Sequence, residues 1–307
     1  KFWNDFAIKW DFVSGDAARS WSKRNREKLS VTRENARLFL GDCESVIHNE
    51  KIVSPRVGVL DIESLPLVCY SFKMYNVNIG IEQVISEICL LSWAGKFLNE
   101  PDIYSDILTA EEAPKKDMER IVKSCWDFMS KCEVIIGHNF ASFDGKMMNT
   151  FFLKFGLPPL KYVIVDTLLV ARNNFRFSSN KLSFINRELG IRDKISNEGF
   201  RLWRLCHEGD QTSLNNMKDY NIGDVYSTEQ LFYKVRPYVK NFNVALYNEI
   251  DEYQCPVCGS EKLKSNGFYY TNAGKYESIL CEDCNCVSRK KQNLLDKDKK
   301  KSLLVNS

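Results

Sequence analysis

The sequence predicts an α/β fold: a mixed sheet flanked by helices, with a helical segment before it and a small cysteine-bearing module after it. Three observations carry this reading. Val57-Gly-Val-Leu-Asp-Ile-Glu63 is a short, apolar, β-branched run of the kind that makes a buried strand. Strand-like and helix-like stretches then alternate as far as Val239, as an α/β domain requires. Beyond them, two Cys-x2-Cys pairs stand close together near the end of the chain. With 307 residues, 44% hydrophobic and 12% aromatic, there is material for about two domains and for a real core.

Residues 1–55 read as a basic helical segment. Trp3, Phe6 and Trp10 give it an apolar face, and Arg19, Lys23, Arg24, Arg26, Lys28, Arg33 and Arg37 follow among helix formers, as either a nucleic-acid-binding surface or a solvated one. Residues 56–245 form the α/β domain. After the first strand come Ile88–Ala94 and Asp102–Ser105 as strands, a helix over 116–131, a strand over Glu133–Gly137, a helix over Phe143–Phe155 and a strand over Tyr162–Val165. From Lys181 to about Val239 the periodicity is helical, broken at Gly190 and Gly209. Residues 250–290 hold the cysteine module, and 291–307 form a Lys-rich tail expected to lack order. No stretch approaches the roughly eighteen apolar residues of a membrane helix, and no membrane partner is expected. Eleven cysteines, an odd number and mostly scattered, fit a reducing intracellular compartment, the cytoplasm, better than a disulfide framework.

Two acids end the first strand. Asp61 and Glu63 are two apart, so their side chains leave the same face and are placed to share cations. His138-Asn-Phe-Ala-Ser-Phe-Asp144 follows directly on a later strand, and Tyr220-Asn-Ile-Gly-Asp224 lies in a helical stretch, where i and i+4 share a face. Four acids held together need divalent cations to offset their repulsion, and all-oxygen ligation selects Mg²⁺ or Mn²⁺. Any one of these acids alone reads as a cap, turn or surface residue; the ordered set is what points to chemistry, and the chemistry it suits is two-metal phosphodiester hydrolysis.

The ordered set Asp61-x-Glu63, Asp144 in its His-Asn-x4-Asp setting and Tyr220-x3-Asp224 resembles the DEDD superfamily of DnaQ-like 3′→5′ exonucleases, in its tyrosine subgroup, over roughly 57–239. The second motif is especially similar to the proofreading domains of family B DNA polymerases. The resemblance implies a ribonuclease H-like fold and two Mg²⁺ or Mn²⁺ ions. Asp61 would bridge both ions, Glu63 and Asp224 would bind the nucleophile's ion, Asp144 would support the other, and Tyr220 would orient the attacking water. It also implies that Asn139 meets the terminal nucleotide. Phe143 is a candidate for stacking on a base, the alternative being core packing, and Phe140 is weighed the same way. Arg172–Lys181 is basic, aromatic and amide-rich, which makes Arg176, Asn180 and Lys181 candidates for holding a strand's phosphates, against an ordinary loop. Asp166 reads as a helix cap.

Cys255-Pro-Val-Cys258 and Cys281-Glu-Asp-Cys284 supply two thiolate pairs at the spacing of a tetrahedral structural Zn²⁺ site, with Gly259 suited to a knuckle, so the module reads as a zinc ribbon. Cys286 is an alternative fourth ligand, less apt than Cys284 because two matched pairs then remain. Phe268, Tyr269, Tyr270 and Tyr276 beside Lys262, Lys264 and Lys275 suggest a nucleic-acid surface; the other reading is a folding staple or protein contact. The whole arrangement is similar to stand-alone exonuclease-like proteins of phages and bacteria, and a phage origin would place it in the host cytoplasm. The leading expectation is metal-dependent 3′→5′ hydrolysis of single-stranded DNA in replication, repair or DNA degradation, with a polymerase or repair protein as a partner in trans. Its rivals are an RNA exonuclease, a structure-specific endonuclease on the same fold, and a non-catalytic nucleic-acid-binding or recruiting factor.

Overall fold

Val57–Leu65 (β1) is almost wholly buried, because it is the middle strand of a five-stranded sheet and has partners on both edges. The structure, a computed structural model, describes residues 55–191, 199–247 and 251–305; the basic segment expected over 1–55 lies, save for its last residue, outside the described residues. After β1 the chain makes an excursion through two short paired strands, Val68–Cys69 (β2) and Val84–Ser86 (β3), which no periodicity announced. Lys116 pins both feet of this excursion, its ammonium donating to the carbonyls of Pro66 and Glu87.

Cys89–Phe97 (β4) returns antiparallel to β1, and Ile103–Ile107 (β5) pairs antiparallel to β4 as the edge. The helix expected over 116–131 is Glu119–Met129 (α2), preceded by a separate single turn at Glu112–Lys115 (α1). They are parted by Lys116, whose backbone is left-handed at φ +52°. Val134–Gly137 (β6) and Val163–Asp166 (β7) join β1 in parallel, separated by Asp144–Lys154 (α3). The sheet order β5-β4-β1-β6-β7 is therefore mixed, as expected. Thr167–Asn174 (α4) takes up the first part of the stretch read as a loop over 172–181. Leu182–Glu188 (α5), Phe200–His207 (α6) and Gln211–Val235 (α7) complete the domain. Gly190 and Gly209 are both left-handed and follow helix ends, as their sequence positions suggested.

Alternation along β1 divides the core. Leu60, Ile62 and Leu65 face one layer with α2 and α3, while Val57 and Val59 face the other with α4, α5 and the later turns of α7. Phe128 of α2 lies on the sheet between Trp93 and Phe97, with ring centroids 5.4 and 4.8 Å away. Gly95 permits that approach, because a Cβ there would meet the Phe128 ring at 2.6 Å. Asp61 and Glu63 continue the row of Val57 and Val59, so they emerge where α7 crosses the sheet.

Two polar ties set where α7 lies. Ser92 Oγ donates to Asn221 Oδ1 at 3.0 Å, and Lys96 Nζ donates to both carboxylate oxygens of Glu229 at 2.7 Å, all four residues being buried. Ser92 to Lys96 spans about 13 Å of strand and Asn221 to Glu229 about 12 Å of helix. The two spacings match, so both ties close in one register of helix on strand. A buried ion pair of this kind does little for net stability, but losing one partner would leave a buried charge.

The cysteine module is a three-stranded antiparallel sheet of Leu263–Thr271 (β8), Gly274–Cys281 (β9) and Val287–Arg289 (β10), with β9 in the middle. The tail, expected to lack order, instead continues along β9 on the side of β10, beyond the end of that strand. Lys290 N donates to Glu277 O, Leu294 N donates to Lys275 O at 2.7 Å, and Lys297–Ser302 (α8) follows, capped by Asp296 through Lys299 N. Backbone pairing and a cap ordered this segment without any apolar face, which is why its composition did not announce it.

Candidate functional site

Carboxylate oxygens of Asp61, Glu63 and Asp224 lie within 4.8 Å of one another. The first two stand on one face of β1, opposite Ala94 and Ser92 of β4, and a bulge after Glu63 turns the strand away immediately beyond them. Asp224 comes from α7, where it is buried. Tyr220, one turn earlier, is partly buried and packs edge-on against Trp203, centroids 6.2 Å apart.

Asn221 was not singled out in the sequence, yet it links the parts. Its Nδ2 donates to Asp61 Oδ2 at 2.7 Å while its Oδ1 accepts from Ser92, so β4, α7 and Asp61 are held by one amide. No local pattern marks such a residue; only its place beside Tyr220 on a helix already suspected of facing the site points to it.

Asp144 opens α3 and is buried. The Ile62 N–H, on the bond between the two β1 acids, donates to Asp144 Oδ1 at 3.3 Å. Burial, with the Asp166 charge adding to it, pushes the Asp144 carboxyl up to about 7. It stands beside the other three acids without belonging to their tightest group.

Asp166 is the cap the sequence suggested, and more. It accepts from Leu168 N and Leu169 N at the start of α4, and also from Asn139 N and Ala141 N at 3.0 Å each. The loop that delivers Asp144 is thus hung on a buried carboxylate, with Asn139 itself in the left-handed region at φ +67°. Phe140 is fully buried, whereas Phe143 is 45% exposed. Phe143 borders a cleft of about 470 Å³ that runs along α3 with Ile88, Lys146, Met147 and Lys154.

The other substrate candidates divide. Arg176 and Lys181 are exposed. Asn180 is half-buried, and its carbonyl meets His138 Nε2 at 3.0 Å, which ties the loop to the end of β6. Phe175 and Phe177 are not offered to a strand: they pack on each other, and Phe175 packs on Tyr238, against the second core layer.

The Cys255, Cys258, Cys281 and Cys284 sulfurs also lie within 4.8 Å of one another. Cys255 to Cys284 is 3.5 Å and Cys258 to Cys281 is 3.6 Å. A tetrahedron with arms of about 2.3 Å has edges near 3.8 Å, so these four thiols fit Zn²⁺. The two knuckles match: Gly259 N donates to Cys255 O and Asn285 N to Cys281 O, both at 2.9 Å, with Gly259 and Asn285 both left-handed. Cys286 stands outside the four, buried in the same small core as Cys255, Cys281 and Cys284. The module fits a zinc ribbon. The three β-strand and helix carboxylates, all hard oxygen donors, fit Mg²⁺ or Mn²⁺ in the same sense.

Residues 96–236 match the family model of the RNase_H superfamily. The fold is ribonuclease H-like. The matched span contains Asp144, Tyr220 and Asp224 and begins after the strand that carries Asp61 and Glu63. No curated protein matches this chain. Among solved structures, the family B DNA polymerase from the hyperthermophilic archaeon Pyrobaculum calidifontis is similar over 60% of this chain, with 17% identity and a TM-score of 0.44. The similar region is 25% of that polymerase, so this chain spans about a quarter of its length. The ribonuclease H-like fold and its acids support a nuclease-type function acting on nucleic acid, and among the described residues no helix is long and apolar enough to cross a membrane.

Proposed function

We propose that this protein is a metal-dependent 3′→5′ exonuclease of single-stranded DNA, of the DEDD type with a tyrosine. The observation that carries the reading is the convergence of Asp61, Glu63 and Asp224 from a central strand and a crossing helix, with Asp144 hydrogen-bonded to the strand between the first two. Asp61, Glu63, Asp144 and Asp224 would hold two Mg²⁺ or Mn²⁺ ions. When bound, these supply Lewis acidity for activating water and stabilising the leaving 3′ oxygen.

The chain's own residues supply position. Asn221 fixes the rotamer of Asp61 through Nδ2, and Ser92 fixes Asn221 in turn. Asp166 holds the loop that carries Asn139, Phe143 and Asp144. Tyr220 lies one turn from Asp224, where its hydroxyl orients the attacking water. Phe143 offers an exposed ring to the terminal base, and Lys146 and Lys154 along the adjoining cleft attract its phosphates. The protein works in a reducing compartment, on strands presented by a replication or repair partner.

Digestion of 5′-labelled single-stranded DNA with Mg²⁺ or Mn²⁺ tests this, beside EDTA and the Asp61→Ala protein. A ladder shortening by one nucleotide at a time, absent with chelator or mutant, is expected. Faster digestion of the matching RNA would move the substrate to RNA, cleavage of circular single strands would make the enzyme an endonuclease, and no cleavage of any substrate would leave a binding factor.

A further inference from the structure

The ribbon's hairpin sorts its aromatic and basic residues onto two faces, which composition alone left undivided. Register pairs Tyr269 with Tyr276 and Arg289 with Ser278, so Tyr269, Tyr276 and Arg289 share one face. There the Arg289 guanidinium stacks 4.0 Å from the Tyr276 ring and 5.6 Å from that of Tyr269. Register also pairs Tyr270 with Lys275 and Phe268 with Glu277, which places these four on the opposite face. Lys275 Nζ sits 3.8 Å from the Phe268 ring centroid and 5.9 Å from that of Tyr270. Lys290 joins this second face, 2.8 Å from Glu277 and 4.5 Å from the Tyr253 ring.

The second face is the more exposed of the two, Tyr269 on the first being 49% exposed. Phe268, Tyr270 and Tyr253 are 53%, 65% and 64% exposed. Its one acid, Glu277, is neutralised by Lys290. Among the described residues no carboxylate pairs with Lys275. By contrast Lys262 and Lys264, which the sequence offered for the same role, are engaged by Asp283 and Glu282 at 3.2 and 3.3 Å. The tail adds charge: Leu294 N donates to Lys275 O, which brings the capped, Lys-rich α8 to the same end of the hairpin. Exposed rings carrying an ammonium group that no carboxylate holds suit a polyanion whose repeating unit is flat, because bases stack on the rings while the displaced ammonium meets a phosphate.

We propose that the face formed by Phe268, Tyr270, Tyr253 and Lys275 is a second nucleic-acid site, taking single strands by base stacking without reading sequence. It is separate from the carboxylate cluster and does not depend on the activity assigned there. Its role is to hold a strand while a site elsewhere acts on it.

The experiment measures binding of a fluorescently labelled oligo-dT strand to full-length, zinc-loaded protein by anisotropy, in an Asp224→Asn background so that the probe stays intact. Phe268→Ala with Tyr270→Ala is expected to weaken binding about ten-fold or more. Lys275→Ala should lower the slope of log affinity against log salt by about 0.7, one phosphate contact on a single strand. Tyr269→Ala, on the opposite face, should leave affinity unchanged, and zinc content with thermal unfolding checks that each variant is folded. Unchanged affinity in the Phe268/Tyr270 pair, or an equal loss in Tyr269→Ala, overturns the proposal. Hydrolysis of thymidine 5′-phosphate p-nitrophenyl ester by the wild-type protein reads the carboxylate site alone. An inactive protein whose binding still depends on Phe268 and Tyr270 therefore sinks the exonuclease reading and leaves this site standing, and the reverse result does the opposite.

Discussion

The carboxylate cluster and the cysteine cluster each gather their donors within 4.8 Å, yet they are built in opposite ways. The thiols come from two short knuckles, each closed on itself by a left-handed residue. The carboxylates come from a central strand and a long helix, and are registered against one another by Ser92–Asn221 and Lys96–Glu229. One site is made by local turns and would lend stability to its surroundings through a bound ion. The other is made by the whole core and uses stability supplied from elsewhere. The two should therefore fail independently.

Removing the structural ion should have the largest effect. Metal binding in small zinc modules is worth about 10–16 kcal/mol, so Cys258→Ser should lose zinc and unfold residues 255–289, while ester hydrolysis persists. Loss of zinc without loss of the ribbon's amide-exchange protection would break the contrast. Asp61→Ala or Asp224→Asn should do the converse: turnover falls by about 10²–10³-fold or more, with zinc content and melting temperature essentially unchanged. Next comes Asn221→Ala, which frees Asp61 without touching substrate. A drop of about 10–100-fold in turnover or metal affinity is expected, appearing as a raised Mg²⁺ requirement in a metal titration. A purely structural role would show only as a lower melting temperature.

Cys286 sharpens the comparison from the other side. It is buried in one cluster with Cys255, Cys281 and Cys284 and stands two residues after Cys284, so Cys284→Ser should retain more zinc than Cys258→Ser, and Cys286→Ser should remove the difference. Zinc stoichiometry after gel filtration measures this. The smallest effect concerns Arg120, which donates to both Asp106 and Glu112. Its guanidinium lowers the Glu112 carboxyl to about 2, so the stabilisation is complete above the unfolded value near 4.5 and is lost as pH falls towards 2. The pair is partly exposed, and Arg120→Met should cost no more than about 1 kcal/mol. Urea unfolding at pH 7 should show that loss, and it should shrink at pH 3.

The legible parts were those with a short repeat. Asp61 and Glu63 stood out because a buried β-branched run rarely ends in two acids, Tyr220 and Asp224 because i and i+4 share a helix face, and the cysteines because their spacing is itself the geometry. Asn221, Ser92, Lys96 and Glu229 were illegible because each acquires meaning only from a partner 129 or 133 residues away. The excursion through β2 and β3 was missed for a different reason. Tyr70, Phe72, Met74 and Tyr75 are 74–104% exposed, which inverts the rule that apolar residues go inside, so no burial pattern could announce it. The order of the tail came from backbone pairing with β9, a signal absent from side chains.

The amide bond from Asn221 to Asp61 spans 160 residues, and that distance has a consequence in time. Contacts of such separation form late, after the entropy of closing a long loop has been met. A chain growing on a ribosome holds Asp61 and Glu63 long before it holds Asn221 and Asp224, and a ribosome covers the residues it has just added. The carboxylate group is thus brought together only once the helix ending at Val235 is clear of the tunnel, so its chemistry, whatever its substrate, waits on the end of the fold.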